Sequence, residues 1–103
     1  MPEKYIKDNK VAILISPGYG AGWSTWERKE LAYDKRIVEK FLEGATATEM
    51  QDFIVSLGYE EPYTGGYEQL QVVYVPVGTK FIIEEYDGSE YLKTVNDFEW
   101  ITA

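Results

Sequence analysis

Val11, Ala12, Ile13, Leu14 and Ile15 form an unbroken apolar run, which gives way at once to glycines and aromatics: residues 11–26 read VAILISPGYGAGWSTW. A strand with one wet face alternates apolar and polar residues, whereas a strand without alternation belongs in a sheet covered on both faces. The run therefore predicts a central strand over Lys10–Ser16, ended by Pro17. Gly18, Gly20 and Gly22 follow at every second position and let another group approach the backbone closely. Tyr19, Trp23 and Trp26 stand among them and offer flat apolar surface with a polar edge. That pairing suits a binding surface without naming a reaction.

The rest of the chain supplies the cover. Ser24 and Glu27 stand in capping-box register and predict a short helical turn through Trp26–Leu31. Asp34 can cap a helix whose Ile37, Val38, Phe41 and Leu42 share one face, with Gly44 just past its end. A second helix is predicted to start at Thr46 or Thr48, with Thr46 and Glu49 again in capping-box register, and Met50, Phe53, Ile54 and Leu57 recur at helical spacing up to Gly58. Residues 59–68, YEEPYTGGYE, read as a loop. From Gln69 the period is two. Strands are predicted over Gln69–Val75, Lys80–Tyr86 and Tyr91–Val95, with Asp87-Gly88 as a tight hairpin turn and Phe98, Trp100 and Ile101 as a short tail strand or packed end. The first ten residues read as a charged lead-in.

This order predicts an α+β fold in two layers. The N-terminal strand and a C-terminal three-strand meander make a mostly antiparallel sheet, with two helices on one face and Met50 and Phe53 packed against it. A chain of 103 residues fits a single domain, 1–103.

Composition removes several classes of chemistry. The chain has no cysteine and no histidine, so disulfides, thiolate or imidazole metal sites, and Ser–His or Cys–His triads are excluded. It has no apolar run long enough to span a membrane, and MPEKYIKDNK lacks a secretory core, so the expectation is a cytoplasmic protein without a membrane partner. Net charge is −8, unevenly spread: residues 1–40 carry eight Lys/Arg against six Asp/Glu, residues 41–103 two against twelve. A nucleic-acid binder needs basic surface for phosphate, so direct nucleic-acid binding is not expected. The acidic part either keeps the chain soluble or meets a basic protein partner.

The loop fails both standard nucleotide motifs. Gly18 and Gly20 fit the first two positions of G-x-G-x-x-G, but the third falls on Trp23, and no lysine lies between Lys10 and Arg28 to complete a phosphate loop. What remains is a set of backbone N–H groups with the Ser24 and Thr25 hydroxyls beside them, a nest able to hold an anion; the alternative is a loop packed tightly under Trp23 and Trp26. Arg28, Lys29, Lys35 and Arg36 follow directly and either meet a bound anion or form a solvated helix face. Glu84, Glu85, Asp87 and Glu90 surround the hairpin turn, but their spacing is not that of a calcium loop, and alternation sends Glu84 and Glu85 to opposite faces. Paired carboxylates of glycosidase type carry little weight in a chain with eighteen acids.

The blocks ISPGYGAGWSTW and VPVGTKFIIEEYDGSE resemble a family of small phage and prophage proteins that share a strand, a G-[FY]-G-A-G-W-S-T-W loop and a late E-Y-D-G-x-E hairpin. The matching positions are Gly18 to Trp26, then Glu85, Tyr86, Asp87, Gly88 and Glu90. The resemblance implies a phage setting, in an infected bacterial host, where small proteins counter defences by occupying a host protein or sequestering a nucleotide signal. The expectation is a non-enzymatic binding protein without a cofactor. Its site would comprise Gly18, Tyr19, Gly20, Gly22, Trp23, Ser24, Thr25, Trp26 and Arg28, holding a small anionic nucleotide-type ligand, with an oligomer as one way to deepen the pocket. The alternative is an acidic inhibitor that occupies a basic surface of a host defence protein.

Overall fold

The central strand is β2, Lys10–Ile15, and its two faces feed two separate cores. The computed structural model describes residues 3–18, 22–25, 28–59, 66–94 and 103. Strand β1, Ile6–Lys7, and strand β3, Gln71–Pro76, flank β2, both antiparallel to it, with Ile6 opposite Val11 and Lys10 opposite Pro76. Ala12 and Leu14 point to one side and join Trp23, Leu31, Ile37, Val38, Met50 and Ile54. Val11, Ile13 and Ile15 point to the other and join Ala32 and Val75. The unbroken apolar run thus has the double cover its pattern calls for.

Helices α1, Lys35–Leu42, and α2, Ala47–Ser56, supply the first cover. Asp34 accepts a hydrogen bond from the Arg36 N–H and starts α1. Thr46 and Glu49 complete a reciprocal capping box at α2. Gly44 and Gly58 take positive φ, +87° and +98°, just past the helix ends, where a residue with a Cβ would be strained. The inward side of α2 is Met50 and Ile54, both fully buried. Phe53 is only half-buried and lies under the Lys40 ammonium, 5.2 Å from its ring centroid, so it stands at the border of the core and not within it.

The second cover is a hairpin. Strands β4, Phe81–Tyr86, and β5, Ser89–Thr94, pair antiparallel with Glu85 opposite Glu90 and Ile83 opposite Leu92. Asp87 and Gly88 both have positive φ, the geometry a two-residue hairpin turn requires. Phe81, Ile83 and Leu92 pack on the Val11, Ile13 and Val75 cluster. The fold is α+β with antiparallel sheets and two helices on one face, as expected. The late strands do not form one meander, however. β3 joins the first sheet, β4 and β5 make a second two-stranded sheet on its far side, and the layers number three.

Two local departures have simple causes. The charged lead-in is a hairpin: Asp8 and Asn9 take positive φ and return the chain from β1 to β2, a conformation that Asp and Asn tolerate better than most residues. The short helical turn is a 3-10 segment, Lys29–Ala32, without a side-chain cap, so Ser24 does not start it. Trp26, Glu27, Val95 and the tail residues Phe98, Trp100 and Ile101 lie outside the described residues.

Candidate functional site

The loop after β2 is built around a carboxylate from the far end of the chain. The Glu90 side chain is fully buried. One oxygen, Oε1, accepts from the Ser16 N–H at 2.9 Å. The other, Oε2, accepts from the Trp23 N–H at 2.8 Å, the Thr25 N–H at 2.9 Å and the Thr25 hydroxyl at 2.6 Å. The Glu90 N–H donates to the Ser16 carbonyl at 2.8 Å, and the neighbouring Ser89 hydroxyl donates to the Pro17 carbonyl at 2.6 Å. The donors of this segment are turned to a carboxyl of the protein's own, and they are the Ser16, Trp23 and Thr25 amides and the Thr25 hydroxyl. The two motif blocks of the sequence are two halves of one hydrogen-bonded unit.

This changes the roles of several candidate residues. Trp23 is fully buried, its indole N–H donates to the Leu31 carbonyl at 3.0 Å, and its ring lies 6.1 Å from that of Tyr67. It is a core residue and offers no face to a ligand. Ser24 is buried at 5% exposure, and Gly22 is buried too. Thr25 is exposed, but its N–H and hydroxyl are bonded to Glu90. At Gly18 an added Cβ would collide with the side chain of Gln69. Arg28 is exposed, and its guanidinium stands over the Tyr59 ring, 5.8 Å from the centroid. Tyr19, Gly20 and Trp26 lie outside the described residues.

Beside the loop runs a groove of about 650 Å³ between Thr25 and β4. Ser24, Thr25, Lys29 and Tyr33 line one wall, and Phe81, Ile82, Ile83 and Glu85 the other. Its volume lies within the range of small-molecule sites. Burial, reinforced by the charges of Glu30 and Asp34, pushes the Tyr33 phenol above its ordinary pKa, so at neutral pH it is an uncharged donor. Lys29 is exposed and brings a positive charge to the mouth. Sequence reasoning singled out Lys29 only as one of four cations, weighed Glu85 only as one of the carboxylates around the hairpin turn, and missed Tyr33 and Phe81 as site residues. Inward alternation along β4 was the available signal, because Phe81, Ile83 and Glu85 share a face.

A second polar centre stands at the start of α1. Asp34 is 1% exposed and accepts from the Arg36 Nε at 3.1 Å, the Arg36 Nη2 at 2.7 Å and the Tyr59 hydroxyl at 2.9 Å. Burial works to raise its pKa, but the hydrogen bonds from Arg36 and Tyr59 outweigh it and hold the carboxyl below the usual range. Tyr59 is pushed up to about 12 by burial and by its bond to Asp34. Among the described residues, no acidic cluster could hold a metal ion, and no helix is long and apolar enough to cross a membrane. Comparison with protein-family models, curated proteins and solved structures finds no match to this chain.

Proposed function

We propose that the chain is a phage-type binding protein that sequesters a small, flat, anionic ligand of the nucleotide class without turning it over. The groove carries this reading, because it combines what such a ligand needs. The Phe81 ring offers apolar surface for a base. Lys29 offers a cation for a phosphate, and Glu85 an acceptor for an exocyclic amino group. The ligand stands beside the glycine loop and not within it, since Glu90 already occupies the nest.

The test is thermal unfolding in ADP-ribose, 3′,5′-cyclic AMP and cyclic di-GMP. A ligand bound only by the folded state adds about 2.7 kcal/mol at one hundred times its Kd, which raises Tm by many degrees for a domain of this size. The rise is expected for at least one of the three, to be lost in Lys29→Ala and Phe81→Ala, and the ligand is expected back unchanged on chromatography. No shift with any of them at millimolar concentration refutes the nucleotide reading. Consumption of the ligand refutes the absence of turnover.

One observation favours a second reading, an acidic inhibitor that covers a basic host surface. The outer face of the hairpin exposes Ile82 at 48%, Tyr86 at 70% and Tyr91 at 40%. Glu84 lies directly opposite Tyr91 on that face. Lys93 shares the face and pairs with Glu84 at 3.3 Å, so this reading rests on the exposed aromatics as anchors and on the acidic balance of residues 41–103. Salt-sensitive capture of one host protein, lost in Tyr86→Ala and Tyr91→Ala, separates this reading from the first.

A further inference from the structure

Three backbone N–H groups and a hydroxyl converge on Glu90 from a loop that precedes it by some seventy positions. Convergent main-chain donors of this kind are how proteins hold free phosphates and carboxylates. We propose that Ser16, Trp23 and Thr25 form an oxyanion-binding nest of which Glu90 is the resident ligand, and that in occupying it Glu90 acts as the positioning residue of the groove. The second half rests on the groove being the binding site.

The geometry ties both walls to the one side chain. Thr25, on the near wall, gives its N–H and its hydroxyl to the same Glu90 oxygen. Glu90 sits on β5 directly opposite Glu85, and β4 presents Phe81, Ile83 and Glu85 as the far wall. The bond from the Glu90 N–H to the Ser16 carbonyl anchors the same point to the end of β2. One carboxylate therefore sets how far apart the walls stand. What the nest requires is an acceptor with charge and several lone pairs. The covalent tether is not part of that requirement, so a free monocarboxylate can take the place of a truncated side chain.

The experiment follows the Tm of Glu90→Ala in sodium formate, with sodium chloride holding ionic strength constant. Formate is expected to raise Tm saturably, by several degrees. Neither wild type nor Ile54→Ala, weakened at a distant site, is expected to respond. If Glu90→Ala is unfolded in chloride, formate is expected to restore its near-ultraviolet circular dichroism. Equal behaviour in the two salts, folded or unfolded, overturns the nest. Amide hydrogen exchange gives a second reading on protein that folds. The Ser16, Trp23 and Thr25 amides are expected to be protected together in wild type and to exchange faster together in Glu90→Met, which removes both acceptor oxygens at similar side-chain length. The Ala12 amide, bonded to the Tyr5 carbonyl, is the reference expected not to move. Three amides that respond independently also overturn the nest. Adding ADP-ribose separates the two halves. Formate rescue with no ligand response even in wild type leaves the nest standing and removes the groove. A ligand response equal in wild type and Glu90→Met removes the positioning role.

Discussion

Trp23 gives its backbone N–H to Glu90 at 2.8 Å across 67 positions of chain, while its indole N–H goes to Leu31 only eight positions on. The residue is thus pinned at both ends, and its ring fills the core between them at 0% exposure. Tryptophan is rarely buried so completely. Here it can be, because its one polar side-chain atom has a partner inside.

Trp23→Ala is expected to cost about 3–5 kcal/mol, the range for removing a large aromatic from a core. Trp23→Phe keeps much of the packing but leaves the Leu31 carbonyl without its donor, an expected cost of about 1–3 kcal/mol. Urea titration of both variants checks the order. A Trp23→Ala protein as stable as wild type would put the ring outside the core.

The α2 helix provides a sharper comparison. Ile54 is fully buried and Phe53 only half so. Ile54→Ala is expected to cost about 2–5 kcal/mol, and Phe53→Ala distinctly less although it removes more atoms. If denaturant midpoints rank the two variants the other way, the helix is rotated from the position described.

Acid and alkali should act on the same pair of residues. The folded-state pKa of Asp34 is lowered. Its contribution to stability is therefore complete above the unfolded value, about 4, and is lost as pH falls through the folded one. Tyr59 is raised to about 12. Its contribution is complete below the unfolded value, about 10, and is lost as pH climbs toward 12. Asp34→Asn is expected to weaken the acid dependence of Tm, and Tyr59→Phe to remove a late tyrosinate from the ultraviolet titration. Unchanged curves would place neither group in the network.

Two glycines near the loop should respond oppositely to a methyl group. At Gly66 a Cβ would lie 2.5 Å from the Gly22 carbonyl oxygen and 2.9 Å from the Ser16 Oγ, so backbone must move. Gly66→Ala is expected to cost about 1–3 kcal/mol, as overpacking does. At Gly18 the obstacle is the end of the exposed Gln69 side chain, which can swing aside. Gly18→Ala is expected to cost less, and thermal melts of the pair decide it.

Much of this fold could be read from local patterns, because local chemistry made it. Asp34, Thr46, Glu49, Gly44 and Gly58 bound the helices through contacts within a few residues, and such contacts leave a mark in the sequence. The docking of the hairpin leaves none. The alternation of β4 and β5 is the same whether they extend the first sheet or stack on its other face. Gly66 looked like one turn former among several in residues 59–68, since what crowds it comes from Ser16 and Gly22. Glu90 looked like one of four carboxylates around a hairpin turn. Its burial was legible in one respect only: two positions before Leu92 on the same strand, it shares the inward face. The loop's donors invited a ligand, and nothing local indicated that the chain would supply one itself.

Strand β2 pairs with β3 from Lys10 opposite Pro76 to Ile15 opposite Gln71, and this has a consequence for the birth of the protein. Once residue 60 has emerged from the ribosome, the most apolar strand and both helices are outside, but neither the strand's long sheet partner nor the hairpin is. The caps at Asp34 and Thr46 let the helices form early and shade Ala12 and Leu14. The Val11, Ile13 and Ile15 face stays wet until residues 71–94 emerge, a few seconds later at about 5–20 residues per second. Chains stalled or truncated in that interval are expected to aggregate through this one strand while their helices are already in place, so a chaperone that shields it would rescue yield where helix-stabilising substitutions would not.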